Sequence, residues 1–406
     1  MRALPSSFVL TVVLAASGIV LAGQSAPRDY PQWRGQHRDG AASGFIAPKS
    51  WPSALTRRWK VEVGDGYATP LVIGDTVYVF TRRDENEGLT ALSARTGEER
   101  WRSSYPAPYS PSQPTAIHGA GPKATPLYQE GKLFTLGISG IVSGFDAATG
   151  KRLWQTEPPK EPPYFSAASS PLGDKGLVIV HPGDYGPLTA FDTGTGDVKW
   201  TAGGGGFFAS PIIIELGGTR QIVSATQDSV IAVSPDGRVL WRYPWKGSNG
   251  GTTPILNGDT IIVSSPEPGV LALRPTMRDG TWSVTTVWET KEVSMYVSNP
   301  VVVADTLFGL STKARGQFFA LDAKTGAVLW LGQSREAENT ALVKAGDLLF
   351  LLNDDAELIV ARASRSAFTA IARYTVAESA TWAQPAISGN RIFVKDVTSL
   401  SLWTID

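Results

Sequence analysis

The chain has 406 residues, 42% of them hydrophobic and 18% charged, which is too apolar for a disordered polypeptide and long enough for a large core. Its 37 basic and 37 acidic side chains cancel, so no net field draws it to nucleic acid or to an anionic membrane surface. It has no cysteine, which excludes disulfides, thiolate metal sites and a lipid anchor on a junction cysteine.

Residues 1–22 read as a secretory signal: Arg2 is the charge of a short leading region, an apolar run extends from Phe8 to Leu21, and Val20-Leu21-Ala22 offers small residues for cleavage after Ala22. No later stretch is apolar for long enough to span a bilayer as a helix. The expectation is an exported product, periplasmic or extracellular, that is not a lipoprotein and is monomeric. Residues 55–406 form one repeat domain, and residues 23–54 form a polar, turn-rich N-terminal extension that packs on it. Trp33-Arg34-Gly35 in the extension is read as a clasp folding back over that domain.

From Leu55 the chain cycles. A proline after small residues (Pro70, Pro126, Pro171, Pro211, Pro254, Pro300, Pro385) precedes a strand, a Gly-Asp-type turn often comes after it, and a second and a third strand come next. The third strand runs into Asp-x-x-Thr-Gly turns, as at Asp146, Asp192 and Asp322. Asp322 accepts backbone N–H groups in its own turn, and Gly326 takes the positive φ that turn needs. Each unit closes on an aromatic residue: Trp59, Trp101, Trp154, Trp200, Trp241, Trp288, Trp330 and Tyr374, roughly every 44 residues. Four short strands per period of that length predict the blades of a β-propeller, all-β and eight-bladed, with each blade burying its faces against two neighbours. The final segment, from Pro385 to Asp406, has three strands and stops where the fourth is due. The orphan strand around Trp59 completes that blade and closes the ring. The usual turn is replaced in blade five by Arg278-Asp279-Gly280 and in blade seven by Ser364-Arg365-Ser366.

The Ala-Leu-Asp-Ala-x-Thr-Gly-x-x-x-Trp repeat resembles that of pyrroloquinoline-quinone (PQQ)-type propellers, in which the Trp docks between adjacent blades. The opening Tyr30-Pro31-Gln32-Trp33-Arg34-Gly35 and the closing Thr381-Trp382-Ala383-Gln384-Pro385 resemble secreted bacterial PQQ-like repeat proteins, often grouped with the BamB assembly propellers. A histidine often stands in that subgroup where this chain has Gln384. The resemblance covers residues 29–406 and implies fold far more than chemistry. Quinone-dependent dehydrogenases of the superfamily hold PQQ with Ca²⁺ in the funnel at one end of the ring and use an adjacent-cysteine disulfide, which this chain cannot form.

No catalytic, cofactor-binding or metal-binding residue is expected. His37, His118 and His181 are far apart in sequence and read as loop residues, and Gly203-Gly204-Gly205-Gly206 lacks the lysine and helix of a phosphate cradle. The connections between blades are the place to look. Just ahead of the repeat prolines the residues are small, as a crowded axis requires. Slightly earlier they become Tyr67, Lys123, Phe165, Phe207, Phe208, Asn249, Tyr296, Glu338 and Trp382, an aromatic rim with a few polar groups that suits a ligand pocket or a docking surface, or else simple loop packing. The long Pro- and Tyr-rich loop from Ser103 to Lys123 is expected to carry Tyr105 and Tyr109 across the same face. The expected function is an exported, non-catalytic propeller that binds or scaffolds a protein partner in the bacterial cell envelope, without a cofactor. The alternatives are a PQQ-dependent oxidoreductase with Ca²⁺ and a glycan-binding propeller.

Overall fold

The computed structural model describes residues 28–405, apart from Tyr185, Phe207 and residues 248–250. The expected signal segment, the first residues of the extension, Phe207, Asn249 and Asp406 therefore lie outside the described residues.

Eight four-stranded antiparallel sheets form an eight-bladed propeller. From blade one to blade eight the innermost strands are Leu71–Ile73, Leu127–Gln129, Leu172–Asp174, Ile212–Leu216, Ile255–Asn257, Val301–Val303, Thr340–Ala345 and Ala386–Ser388. The middle strands are covered on both faces by neighbouring blades, so they are runs of apolar residues rather than alternating ones. Leu348–Asn353, Leu-Leu-Phe-Leu-Leu-Asn, is buried at every position. The outermost strands face solvent and alternate: in Glu99–Pro106 the even positions are exposed while Trp101, Ser103 and Tyr105 turn inward.

The Asp turns and the tryptophans lock one blade to the next. Asp322 Oδ1 accepts the backbone N–H groups of Lys324 and Thr325, both at 3.0 Å, and Gly326 sits at φ 77°. A Cβ at Gly326 would stand 2.6 Å from the ring of Trp288, which belongs to the preceding blade. Trp288 Nε1 donates to Ala323 O in the same turn at 3.1 Å. Trp59, Trp154, Trp200 and Trp330 donate in the same way to Ala94, Thr193, Pro235 and Ser364 of the following blade. Trp241 departs from this pattern, because blade five has a two-residue hairpin in place of the Asp turn. Its strands Gly269–Arg278 and Thr281–Thr290 meet at Asp279 and Gly280, both at positive φ, and Trp241 Nε1 donates instead to Gln221 Oε1 within its own blade.

Ring closure is the expected one. Thr56–Glu62 pairs antiparallel with Ser399–Thr404, with Trp59 opposite Leu402, and so supplies the outer strand of blade eight. Val77 and Val79 of blade one pack with Phe393, Leu400 and Leu402 of blade eight in one apolar cluster.

The extension enters the axis of this ring. Tyr30 pairs with Val72 of blade one, Tyr128 N of blade two donates to Pro31 O, Ala41 pairs with Lys344 of blade seven and Ser43 with Ser388 of blade eight. At the top of this loop two arginines are buried. Arg34, 0% exposed, donates to Pro300 O of blade six at 2.6 Å, and Arg38 donates to Pro171 O and Ser170 O of blade three at 2.8 and 3.0 Å. Burial lowers them to about 10 and about 9. Their partners are backbone carbonyls just ahead of the inner strands, where no sheet ladder occupies them. Phe45 and Trp51 then pack against Phe350 of blade seven.

Candidate functional site: an aromatic funnel on the axis

The connection from each outer strand to the next inner strand lies over one face of the ring, so eight connections converge on the axis. They enclose a cavity of about 350 Å³. Tyr67, Lys123, Phe165, Phe208, Tyr296, Glu338 and Trp382 all line it, one from each of seven connections. Gly251 comes from the eighth, and Trp33 of the axial extension lines it as well. Trp33 Nε1 donates to Thr253 Oγ1 at 3.1 Å, which fixes that ring against blade five.

Two ring clusters face the cavity. On one side His118 meets Trp382 edge-to-face, with centroids 4.4 Å apart, and Tyr67 at 6.1 Å. On the other, Phe208 meets Tyr296 at 6.0 Å and 89°. Tyr296 is 39% exposed. Burial raises both tyrosines above the ordinary phenol value, in Tyr67 with help from Asp65.

The charged groups differ in depth. Lys123 Nζ donates to Ser166 Oγ at 2.8 Å, and burial pushes the ammonium down to about 8 against an opposing pull from Asp184. Asp184 is 3% exposed; its own burial raises its pKa, and its Oδ2 accepts Phe165 N at 2.8 Å. No carboxylate oxygen among the described residues lies within 4 Å of Lys123 Nζ. Burial and the Lys123 charge both lower His118. Glu338 is exposed at the rim. Asn299 Oδ1 accepts Thr253 N and Asn339 Oδ1 accepts Ser298 Oγ, each at 2.7 Å, so both amides brace the connections.

Tyr105 does not share this face. It is 1% exposed, its hydroxyl donates to Glu87 Oε2 at 3.1 Å, and its ring stacks on Phe145 in the wall between blades one and two. The strand of blade one runs on to Pro106, so residue 105 is still in the ladder, opposite Glu87, with its side chain turned into the core. Tyr109 donates to Pro163 O at 3.1 Å and ties its loop to the next connection without lining the cavity. Sequence reasoning missed Trp33 as a lining residue and read His118 as a bland loop residue. The short 3₁₀ turn Gln113–His118 at the end of the long loop bends His118 inward. Pro114 at its start was the available signal. His181 and Ser224 form a buried hydrogen-bonded pair at 2.8 Å between blades three and four, away from the funnel.

The family described as "Outer membrane protein assembly factor BamB" matches residues 85–332. The BamB of Shewanella oneidensis is 24% identical over 364 residues, covering 83% of this chain and 85% of that relative. The BamB of Burkholderia pseudomallei is matched over 47% of its length. A quinone alcohol dehydrogenase subunit of Acetobacter aceti is 26% identical over 319 residues, 64% of this chain and 39% of that subunit. The crystal structure of BamB from Moraxella catarrhalis superposes with a TM-score of 0.63 at 17% identity, covering 86% of this chain and 98% of that one, a likeness of fold.

Proposed function

The chain belongs to the BamB-type family of PQQ-like repeat propellers, and from that premise we propose that it is an exported, non-catalytic propeller that binds a protein partner in the bacterial cell envelope through the funnel face. One observation carries the reading: all eight connections meet at a single aromatic cavity whose rings are half-buried and reachable. Large, rigid, partly exposed aromatics with a few polar groups are the composition of interface cores. The relatives named for outer-membrane protein assembly supply the envelope context.

The alternative, a PQQ-dependent oxidoreductase, is favoured by similarity to quinone dehydrogenases. The residues present do not fit that cofactor. Glu338 is the one carboxylate of the described lining, the two amide oxygens beside it are engaged in bracing, and no cysteine pair exists to stack on the quinone plane. No group of three His, Asp or Glu with metal-holding geometry occurs among the described residues. Adding PQQ with Ca²⁺ should give no bound chromophore and no dye reduction with alcohols; either signal would revive the enzyme.

The binding reading is tested by a photo-reactive phenylalanine analogue at position 296 in intact cells. A discrete adduct is expected there and not from position 153, exposed on the outer edge of blade two. Equal adducts from both positions, or none from 296, would defeat it.

A further inference from the structure

The funnel is aromatic, but its charges are unequal, and that inequality selects a ligand. A ring cage alone would suit a cation as well as an apolar group. The two charged side chains of the lining oppose each other in sign but not in setting. Glu338 stands in water at the rim, where its field is screened. Lys123 is drawn into the wall, where its ammonium, with three donors, makes one hydrogen bond, to Ser166 Oγ, among the described residues. Asp184 behind it accepts Phe165 N through Oδ2, leaves Oδ1 buried without a hydrogen bond, and forms no ion pair with Lys123 within 4 Å. A cation would thus place a second positive charge beside a poorly compensated one. An anion would complete the hydrogen bonding of Lys123, and one exchanged out of water into this setting makes a charge-assisted contact.

We propose that the funnel binds a carboxylate joined to a flat aromatic group, the ring held between the His118–Trp382–Tyr67 and Phe208–Tyr296 clusters and the carboxylate on Lys123 Nζ. The cavity, about 350 Å³, is at the small end of ligand pockets and suits one ring with its acid rather than an extended chain. This rests on the reading of the funnel as the binding face. The same chemistry has two sources: the C-terminal residue of a partner polypeptide ending in an aromatic side chain, or a free aryl carboxylate.

The test is calorimetry on the whole protein with N-acetyl-phenylalanine and with its C-terminal amide. At pH 7 the acid is expected to bind about tenfold or more tightly than the amide, the difference being one charge-assisted contact. Lys123→Met should bring the acid down to the amide without lowering the melting temperature, and Trp382→Ala should weaken both ligands. The preference should also fade as pH rises through about 8, where Lys123 loses its proton. The other groups facing this amine are His118, its pKa lowered by burial and by the Lys123 charge, and the carboxylates of Asp184 and Glu338; all three remain in Lys123→Met, where the pH dependence of the preference should vanish. Equal binding of acid and amide, no binding of either, or a preference that survives Lys123→Met would overturn the proposal. A tetrapeptide acid ending in phenylalanine that binds as well as the capped amino acid assigns the site to a chain terminus. Binding of 3-phenylpropionate with exclusion of the peptide keeps the carboxylate site but assigns it to a small molecule. The protein-binding reading stands or falls separately, on the adducts from position 296.

Discussion

Trp154 and Trp382 are the same residue type in the same ring, and they are held in opposite ways. Trp154 is 8% exposed, lies on Gly196 of the next blade's turn and donates its indole N–H to Thr193 O. Trp382 is half-buried, its indole N–H has no protein partner among the described residues, and its ring contact is the edge of His118. The charges divide in the same way. Glu87, in the wall between blades one and two, is 0% exposed and is met by Ile138 N at 2.8 Å and Tyr105 Oη at 3.1 Å. Lys123, at the funnel, has one bond where it can make three. At Trp154 and Glu87 the wall satisfies the buried groups, and at Trp382 and Lys123 the axis leaves groups over. Residues that the fold leaves incompletely matched are those available to a ligand.

That contrast can be broken by substitution. Trp154→Ala should cost about 3–5 kcal/mol, as for other large buried side chains, and lower the denaturation midpoint accordingly, while Trp382→Ala changes stability by less than about 0.5 kcal/mol. Equal losses in chemical denaturation would erase the distinction between wall and funnel.

Glu87 sharpens it through pH. Burial raises this carboxyl to about 7, above the 4.5 of an open chain. A raised acid favours the protonated fold, so the stability it confers is complete below pH 4.5 and is lost as pH rises through 7. The loss amounts to roughly 3 kcal/mol in linkage terms. Glu87→Gln should flatten the stability profile between pH 5 and 8, measured by urea unfolding; an unchanged slope would mean that Glu87 is ionised in the fold at no cost.

Smaller effects separate two turns of the wall. Gly326→Ala meets both a positive φ and the Trp288 ring at 2.6 Å, so about 2–3 kcal/mol is expected; Gly346→Ala shares the positive φ, at 61°, but has open space around it, so about 1 kcal/mol suffices. If the two lose the same amount by thermal melting, the ring contact contributes nothing and the dihedral alone matters.

The repeating parts were legible because they are written many times: the turn of Asp322, the Trp period and the missing strand at Thr56–Glu62 each come from local patterns. Most of the rim was legible from one rule, that the residue ahead of an inner strand faces the axis. Tyr105 escaped that rule because nothing local marks where a strand ends: its partner Glu87 lies on the neighbouring strand and holds the ladder to Pro106. Trp33 and His118 reach the cavity by routes through space, one threaded up the axis and one bent inward by a 3₁₀ turn, and periodicity carries no record of either. The buried arginines had a similar disguise. Arg34 read as part of a clasp and Arg38 as part of a polar turn, and only the carbonyls of Pro300, Ser170 and Pro171 reveal why charge belongs there.

The axial extension also bears on how the ring comes to exist. The closing strand and its partner are separated by 348 positions at Thr56 and Thr404, a loop whose closure alone costs about 5 kcal/mol in chain entropy. Contacts that distant form slowly. Residues 30–43 touch blades one, two, three, five, six, seven and eight from within, through a stretch no longer than two strands. They stand to the ring as a mandrel to a coil: each blade docked on this segment sits at a radius that the segment itself sets.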